Sequence, residues 1–161
     1  MTTATESLSS DQVKQKLTAH QSYLESKGRE GQCLDLSHYV IENFQFDGLD
    51  LSEVVAQGAR FKNCSFKRVN WSGGNLDSVS AQACSFDDAI LVKAEFFEAN
   101  LAQSTFVGAN LNRAEFIECD LSSVNFENAQ MAGAVVAESR LTGASFEGVQ
   151  KDTASFDNNE Q

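Results

Sequence analysis

Phe86-Asp87-Asp88-Ala89-Ile90, Leu91-Val92-Lys93-Ala94-Glu95, Phe96-Phe97-Glu98-Ala99-Asn100, Leu101-Ala102-Gln103-Ser104-Thr105: in these four fives every fifth residue is large and apolar, and the residue two before it is small. The phase runs without a slip from 36 to 156, through Leu36, Ile41, Phe46, Leu51, Ala56, Phe61, Phe66, Trp71 and Leu76 before this stretch and Phe106, Leu111, Phe116, Leu121, Phe126, Met131, Val136, Leu141, Phe146, Lys151 and Phe156 after it. A period of five fits neither a helix at 3.6 nor a flat strand at 2, so two residues of each five point inward while the chain turns a corner between fives. The large residue fills the middle, and the one two before it, such as Ala89, Ala94, Ala109 or Ala144, is small because both share a narrow interior. Four sides close a square turn of twenty residues, and stacked turns pair their backbones at about 4.8 Å. Glycine and asparagine are expected at the corners.

Motifs such as Ala99-Asn100-Leu101-Ala102-Gln103 and Ala109-Asn110-Leu111-Asn112-Arg113 resemble the pentapeptide-repeat family, whose pattern is a small residue, Asp or Asn, Leu or Phe, then two variable positions. The resemblance covers about 125 of the 161 residues without an insertion. It implies an all-β solenoid, a right-handed quadrilateral β-helix of about six coils, about 30 Å tall at the strand spacing.

Ahead of the repeat, residues 1–8 lack periodicity and are expected to be disordered. Ser9 with Gln12 makes a capping box, after which Val13, Leu17, His20 and Leu24 recur at helical spacing until Gly28. The spacing predicts a helix over 10–26 whose apolar stripe caps the open first coil. Residues 1–32 thus form a disordered start plus a capping helix, and 33–161 the β-helix with a short polar C-terminal tail. His20 on the stripe reads as a partly buried structural histidine.

Charge sharpens the picture. The chain carries a net charge of −11, with four acids balanced by four bases in residues 1–32, so the repeat holds the whole excess. Bases gather at Arg60, Lys62, Lys67 and Arg68, whereas beyond Val69 fourteen acids face four bases. Such a surface repels nucleic acid and attracts basic partners. There is no apolar run long enough for a membrane span and no signal-peptide pattern, which points to the cytoplasm; export by a dedicated system stays open. Cys33, Cys64, Cys84 and Cys119 form no CxxC pair, and three of them fall on the small inward register, as suits reduced cysteine acting as a small hydrophobe. Cys64 and Cys84 lie one turn apart, within reach of a disulfide, though reduced packing residues are expected there.

The twenty-residue turn assigns faces. Phe46, Phe66, Phe86, Phe106, Phe126 and Phe146 stack as an interior ladder. The adjoining face, in the register of Leu76, Phe96 and Phe116, places outward Glu95 below Glu115, Phe97 below Ile117, and Glu98 below Glu118 and Glu138. Carboxylates stacked at about 5 Å repel by roughly 0.8 kcal/mol per pair at the dielectric of water, a cost that brings the fold nothing. An apolar pair ringed by five glutamates reads as a docking patch for a basic, partly apolar protein surface; a solvated face with two incidental apolar residues is the alternative.

No catalytic constellation is legible. The only histidines are His20 and His38, neither in a nucleophile motif, and no glycine loop cradles phosphate. Cys33 with His38 lacks a second pair for zinc, and no cofactor or metal is expected. Three non-enzymatic readings remain: an interaction scaffold; by the resemblance, a DNA-mimic binder of type II topoisomerase that protects it from quinolones; or a bacterial secretion-system effector or accessory, because residues 17–31 and the pentapeptides after them look like the starts of such repeat proteins. Homodimerisation through the exposed last coil near Phe146 and Phe156 is a further expectation.

Overall fold

The computed structural model describes residues 6–161. Helix α1 (Ser10–Ser26) is followed by β1 (Val40–Glu42), β2 (Arg60–Lys62), β3 (Glu95–Phe97), β4 (Glu115–Ile117), β5 (Val135–Ala137) and β6 (Ser155–Asp157). The strands form two parallel sheets, β1-β2 and β3-β4-β5-β6. Within the repeat every strand register and bridge joins residues twenty apart, as in Phe96 with Phe116 and Ile90 with Asn110, which makes the expected quadrilateral β-helix of about six coils.

The helix starts and stops where its local chemistry says. Ser9 Oγ accepts from the Gln12 amide and the Gln12 side chain accepts from the Ser9 amide, completing the capping box. At the other end Lys27 turns left-handed, and the amides of Lys27 and Gly28 donate to the Leu24 and Tyr23 carbonyls. The chain then folds back along the helix so closely that a Cβ on Gly31 would fall 2.1 Å from the Ala19 carbonyl oxygen. Val13 joins the core of the first coils and Leu17 packs against it, so the stripe does cover the open end.

Four features differ from expectation. Residues 6–8 are not loose: the Leu8 amide donates to the Val40 carbonyl at 3.0 Å and the Val40 amide to the Glu6 carbonyl at 2.9 Å, which shields the first edge strand. The rest of the segment expected to be disordered lies outside the described residues. At the other end, the stretch expected to be a polar tail keeps the coil register, since the Leu141 amide donates to the Glu160 carbonyl at 2.6 Å.

Corners are the third difference. Every fifth residue over 38–158 has positive φ, yet glycine holds only seven of these corners and asparagine four. Ala83 shows why other residues are held there: its φ is +54°, its amide donates to the Ala102 carbonyl one coil on, and the next amide closes the turn onto the Ala81 carbonyl. A left-handed L-residue costs about 1–2 kcal/mol, and backbone bonds from two directions impose it.

The fourth concerns the small inward positions, where cysteine does more than fill space. Cys64 Sγ donates to the Ile41 carbonyl (3.5 Å), Cys84 Sγ to that of Phe61 (3.8 Å) and Cys119 Sγ to that of Phe96 (3.0 Å). Ser104, Ser139 and Asn159 make the same link to Ala81, Phe116 and Val136, each 23 residues back. Cys119, Ser139 and Asn159 form a column in which Ser139 Oγ accepts from the Cys119 amide and Asn159 Oδ1 from the Ser139 amide. Side chains thus supply hydrogen bonds at the corners that follow β4, β5 and β6. Burial pushes the thiols up, to about 11 for Cys64 and about 12 for Cys119, so both remain donors. All four cysteines are free.

Inside, the phenylalanine ladder runs as expected, with ring centroids 4.7–5.3 Å apart and planes within 20° of parallel from Phe46 to Phe146. Where Trp71 replaces a smaller central residue, its Nε1 donates to the Val54 carbonyl, and Gly74 makes the room: a Cβ there would sit 2.4 Å from Trp71 Cδ1.

Candidate functional site

The acidic face lies on the four-stranded sheet, and its position corrects the expectation. The registers of Phe106 and Phe116 differ by ten residues, half a coil, so the face lies opposite the phenylalanine ladder and not beside it. Phe116 meets Phe106 and Phe126 edge to face across the interior, and stacks on Phe96 at 4.7 Å and 5°. A stack of rings therefore backs the sheet, with Phe96 and Phe116 fully buried beneath the outward side chains.

The sheet register brings together all seven residues expected there. Glu95 pairs with Glu115 and Phe97 with Ile117 in the β3–β4 register. Glu98, Glu118 and Glu138 follow at the next corner, each with a left-handed backbone (φ 53–57°) whose amide donates to the coil above. All five glutamates are exposed, and among the described residues none forms an ion pair; the basic side chains that do pair, such as Lys62 with Glu42 and Arg140 with Asp120 and Glu160, lie elsewhere. Phe97 is 40% exposed, whereas Ile117, expected outward and free, is half-buried.

The structure adds residues that the stacking argument missed. Asp77, one coil before Phe97, accepts from the Phe97 amide at 3.0 Å, and with Glu95, Glu115, Phe97 and Ile117 it lines a shallow groove. On the other side β5 ends the glutamate column: Val135 replaces the carboxylate beside Glu115, and Ala137 extends the apolar column beyond Ile117. Both were visible as the next members of twenty-residue columns. Exposure alone does not single out the patch, since Ile90 (44%) and Val55 (39%) are also exposed. Continuity does. Ile90 stands between Asn70 and Asn110 and Val55 between Asp35 and Asn75, while Phe97 is continued by Ile117 and Ala137.

Other candidates recede. Among the described residues no group of three or more metal-ligating side chains converges, and no helix is long and apolar enough to cross a membrane. His38 is exposed at a corner and His20 is buried under the cap.

Comparison with known proteins agrees with this architecture. A family model described as a pentapeptide repeat region matches residues 79–156, which contain all seven residues of the acidic face. No curated protein matches the sequence. Among solved structures, a trypsin-treated variant of QnrB1, a plasmid-mediated fluoroquinolone resistance protein, is similar with a TM-score of 0.70 at 21% identity, over 80% of this chain and 68% of that one. A second treated variant gives 0.69 at 19%, over 80% and 70%. At these identities the likeness is one of fold. With the unbroken fives and the twenty-residue register, the matched family model identifies residues 79–156 as a pentapeptide repeat region, and the chain has the fold of the pentapeptide-repeat β-helices.

Proposed function

We propose that this chain is a non-enzymatic interaction scaffold whose acidic face docks a protein partner with a basic, partly apolar surface. The observation that supports it is the column Phe97–Ile117–Ala137 flanked by Glu95 and Glu115 on one side and Glu98, Glu118 and Glu138 on the other, none of them in an ion pair among the described residues. Carboxylates one coil apart repel, so a binding surface accounts for them better than stability does. The hydrogen-bonded coils hold them at fixed spacing, so little ordering entropy is lost on docking. Four free cysteines, three of them buried, suit a reducing compartment, and the reading places the protein in the cytoplasm.

Binding to a type II topoisomerase as a DNA mimic is the second reading, favoured by the fold likeness to QnrB1. A duplex about 30 Å long carries roughly 18 phosphate charges at one per 1.7 Å, against a repeat excess of 11 that is offset toward one end. The mimicry would involve one face and not the whole post. The open last coil, where Leu141, Phe146 and Phe156 are less well covered, is the surface through which a second copy would join.

Affinity capture with the wild type beside a Glu95, Glu98, Glu115 and Glu118 to Lys variant tests the first reading. A partner retained equally by both sinks the assignment of the face. Protection of gyrase supercoiling from a quinolone, lost in the same variant and competed by duplex DNA in a salt-dependent way, selects the second.

A further inference from the structure

The helix that caps the β-helix is fastened by a histidine in one particular protonation state. His20 is 1% exposed, on the face of α1 turned to the first coils. Its Nδ1 accepts from the Leu34 amide at 3.2 Å, so the neutral ring must carry its proton on Nε2, which is buried without a hydrogen-bond partner. Leu34 is itself buried where the coil begins. A second proton would have to go on Nδ1, where N–H would face N–H, the Leu34 amide would lose its acceptor, and a charge would be buried. Few other hydrogen bonds fasten the cap segment: residues 6–8 pair with Val40, and the Gln32 amide donates to the Ala19 carbonyl.

We propose that residues 6–31 form an acid-released latch, in which protonation of His20 frees α1 from the first coil and uncovers the apolar end while the β-helix stays folded. The ionisable groups facing His20 are Asp50 and Glu53 from the coil and Tyr23 from the helix (ring centroids 6.3 Å apart). Burial holds His20 below its ordinary value of 6.5, outweighing the two carboxylates and the Asp50 backbone carbonyl, which favour the imidazolium and so oppose release. A histidine held low contributes stability that is complete above about pH 6.5 and is lost as pH falls toward its folded value, because there the detached state binds the extra proton. The loss falls on the cap alone, since the only other histidine, His38, is exposed at a corner. Local opening of a peripheral unit with the core intact is ordinary behaviour for a solenoid.

Amide hydrogen exchange on the full chain at pH 7.5 and 5.0, corrected for intrinsic rates, tests the latch. Exchange of α1 and the Leu34 amide should rise at least tenfold at the lower pH, while the amides of β3, β4 and β5 keep their protection. His20→Asn keeps an acceptor in the Nδ1 position but cannot take up a proton in this range, and should hold the cap equally at both pH values. Glu53→Gln removes a carboxylate that opposes release and should move release to higher pH. Equal protection of the wild-type helix at both pH values overturns the proposal, as does the same pH response in His20→Asn. Should that variant fail to seat the helix, the ring proton signals of His20 decide in the wild type: titration below the ordinary histidine value of 6.5 upholds the latch, and titration at or above it overturns it.

Discussion

Phe106 and Phe116 lie with centroids 6.1 Å apart and planes at 88°, while Phe106 also stacks on Phe86 at 4.7 Å and 6°. One ring therefore serves both the vertical ladder and the contact across the coil that backs the acidic face. Phe106→Ala should cost about 3–5 kcal/mol, read by urea unfolding. Because a solenoid's stability is a sum of neighbouring terms, the loss in mid-ladder should also split the transition into two. Phe146→Ala, at the open end where the ring is only partly covered, should cost clearly less and leave one transition.

The thiol of Cys119 donates to the Phe96 carbonyl and also fills a small inward position, so its two roles separate by substitution. Cys119→Ser keeps the donor, while Cys119→Ala deletes donor and volume and should be less stable than the serine variant by about 1–3 kcal/mol, measured by thermal or urea unfolding.

Cysteine reactivity carries the pH dependence. With Cys64 held near about 11 and Cys119 near about 12, a thiol reagent at pH 8 should label neither in the folded protein, and label both at once in denaturant. Burial keeps these groups protonated in the fold while the unfolded chain ionises near 9. The stability they contribute is complete below about pH 9 and falls as pH rises from there through about 12. Alkaline unfolding midpoints of the wild type against Cys119→Ser measure it.

Left-handed corners held by residues with a Cβ are sites of stored strain. Ala83→Gly should stabilise by up to about 1 kcal/mol, since Ala83 is exposed and its φ is +54°. Gly74→Ala should do the opposite by about 1–3 kcal/mol of overpacking, because the added carbon would meet the Trp71 ring. Paired thermal melts give both signs.

Glu118 has a like-charged neighbour on either side in its column, so Glu118→Gln should raise stability slightly at low ionic strength and do nothing at 1 M salt, where charges more than about 3 Å apart are screened. A salt-independent effect in thermal melts would mean that the column is not electrostatically coupled.

The fives determined in advance the coil, its twenty-residue register, the phenylalanine ladder, and which side chains share a column, because a period of five leaves the backbone one way to bury a large and a small residue per side. The helix from Ser10 to Ser26 was equally legible, its ends being local chemistry at Ser9, Gln12 and Gly28. All seven residues of the acidic face could be listed from stacking alone, and the ten-residue offset between Phe106 and Phe116 already puts their two faces half a coil apart, but the edge-to-face contact between those rings appears only in the structure. Periodicity orders residues along a column and is silent on contacts across it. The tertiary structure alone decided that Asp77 holds the Phe97 amide, that inward cysteine and serine donate to carbonyls 23 residues back, and that His20 is fastened through Nδ1. Each of these depends on the distance and direction between groups on different coils or on the cap, and such geometry exists only once the chain has closed on itself.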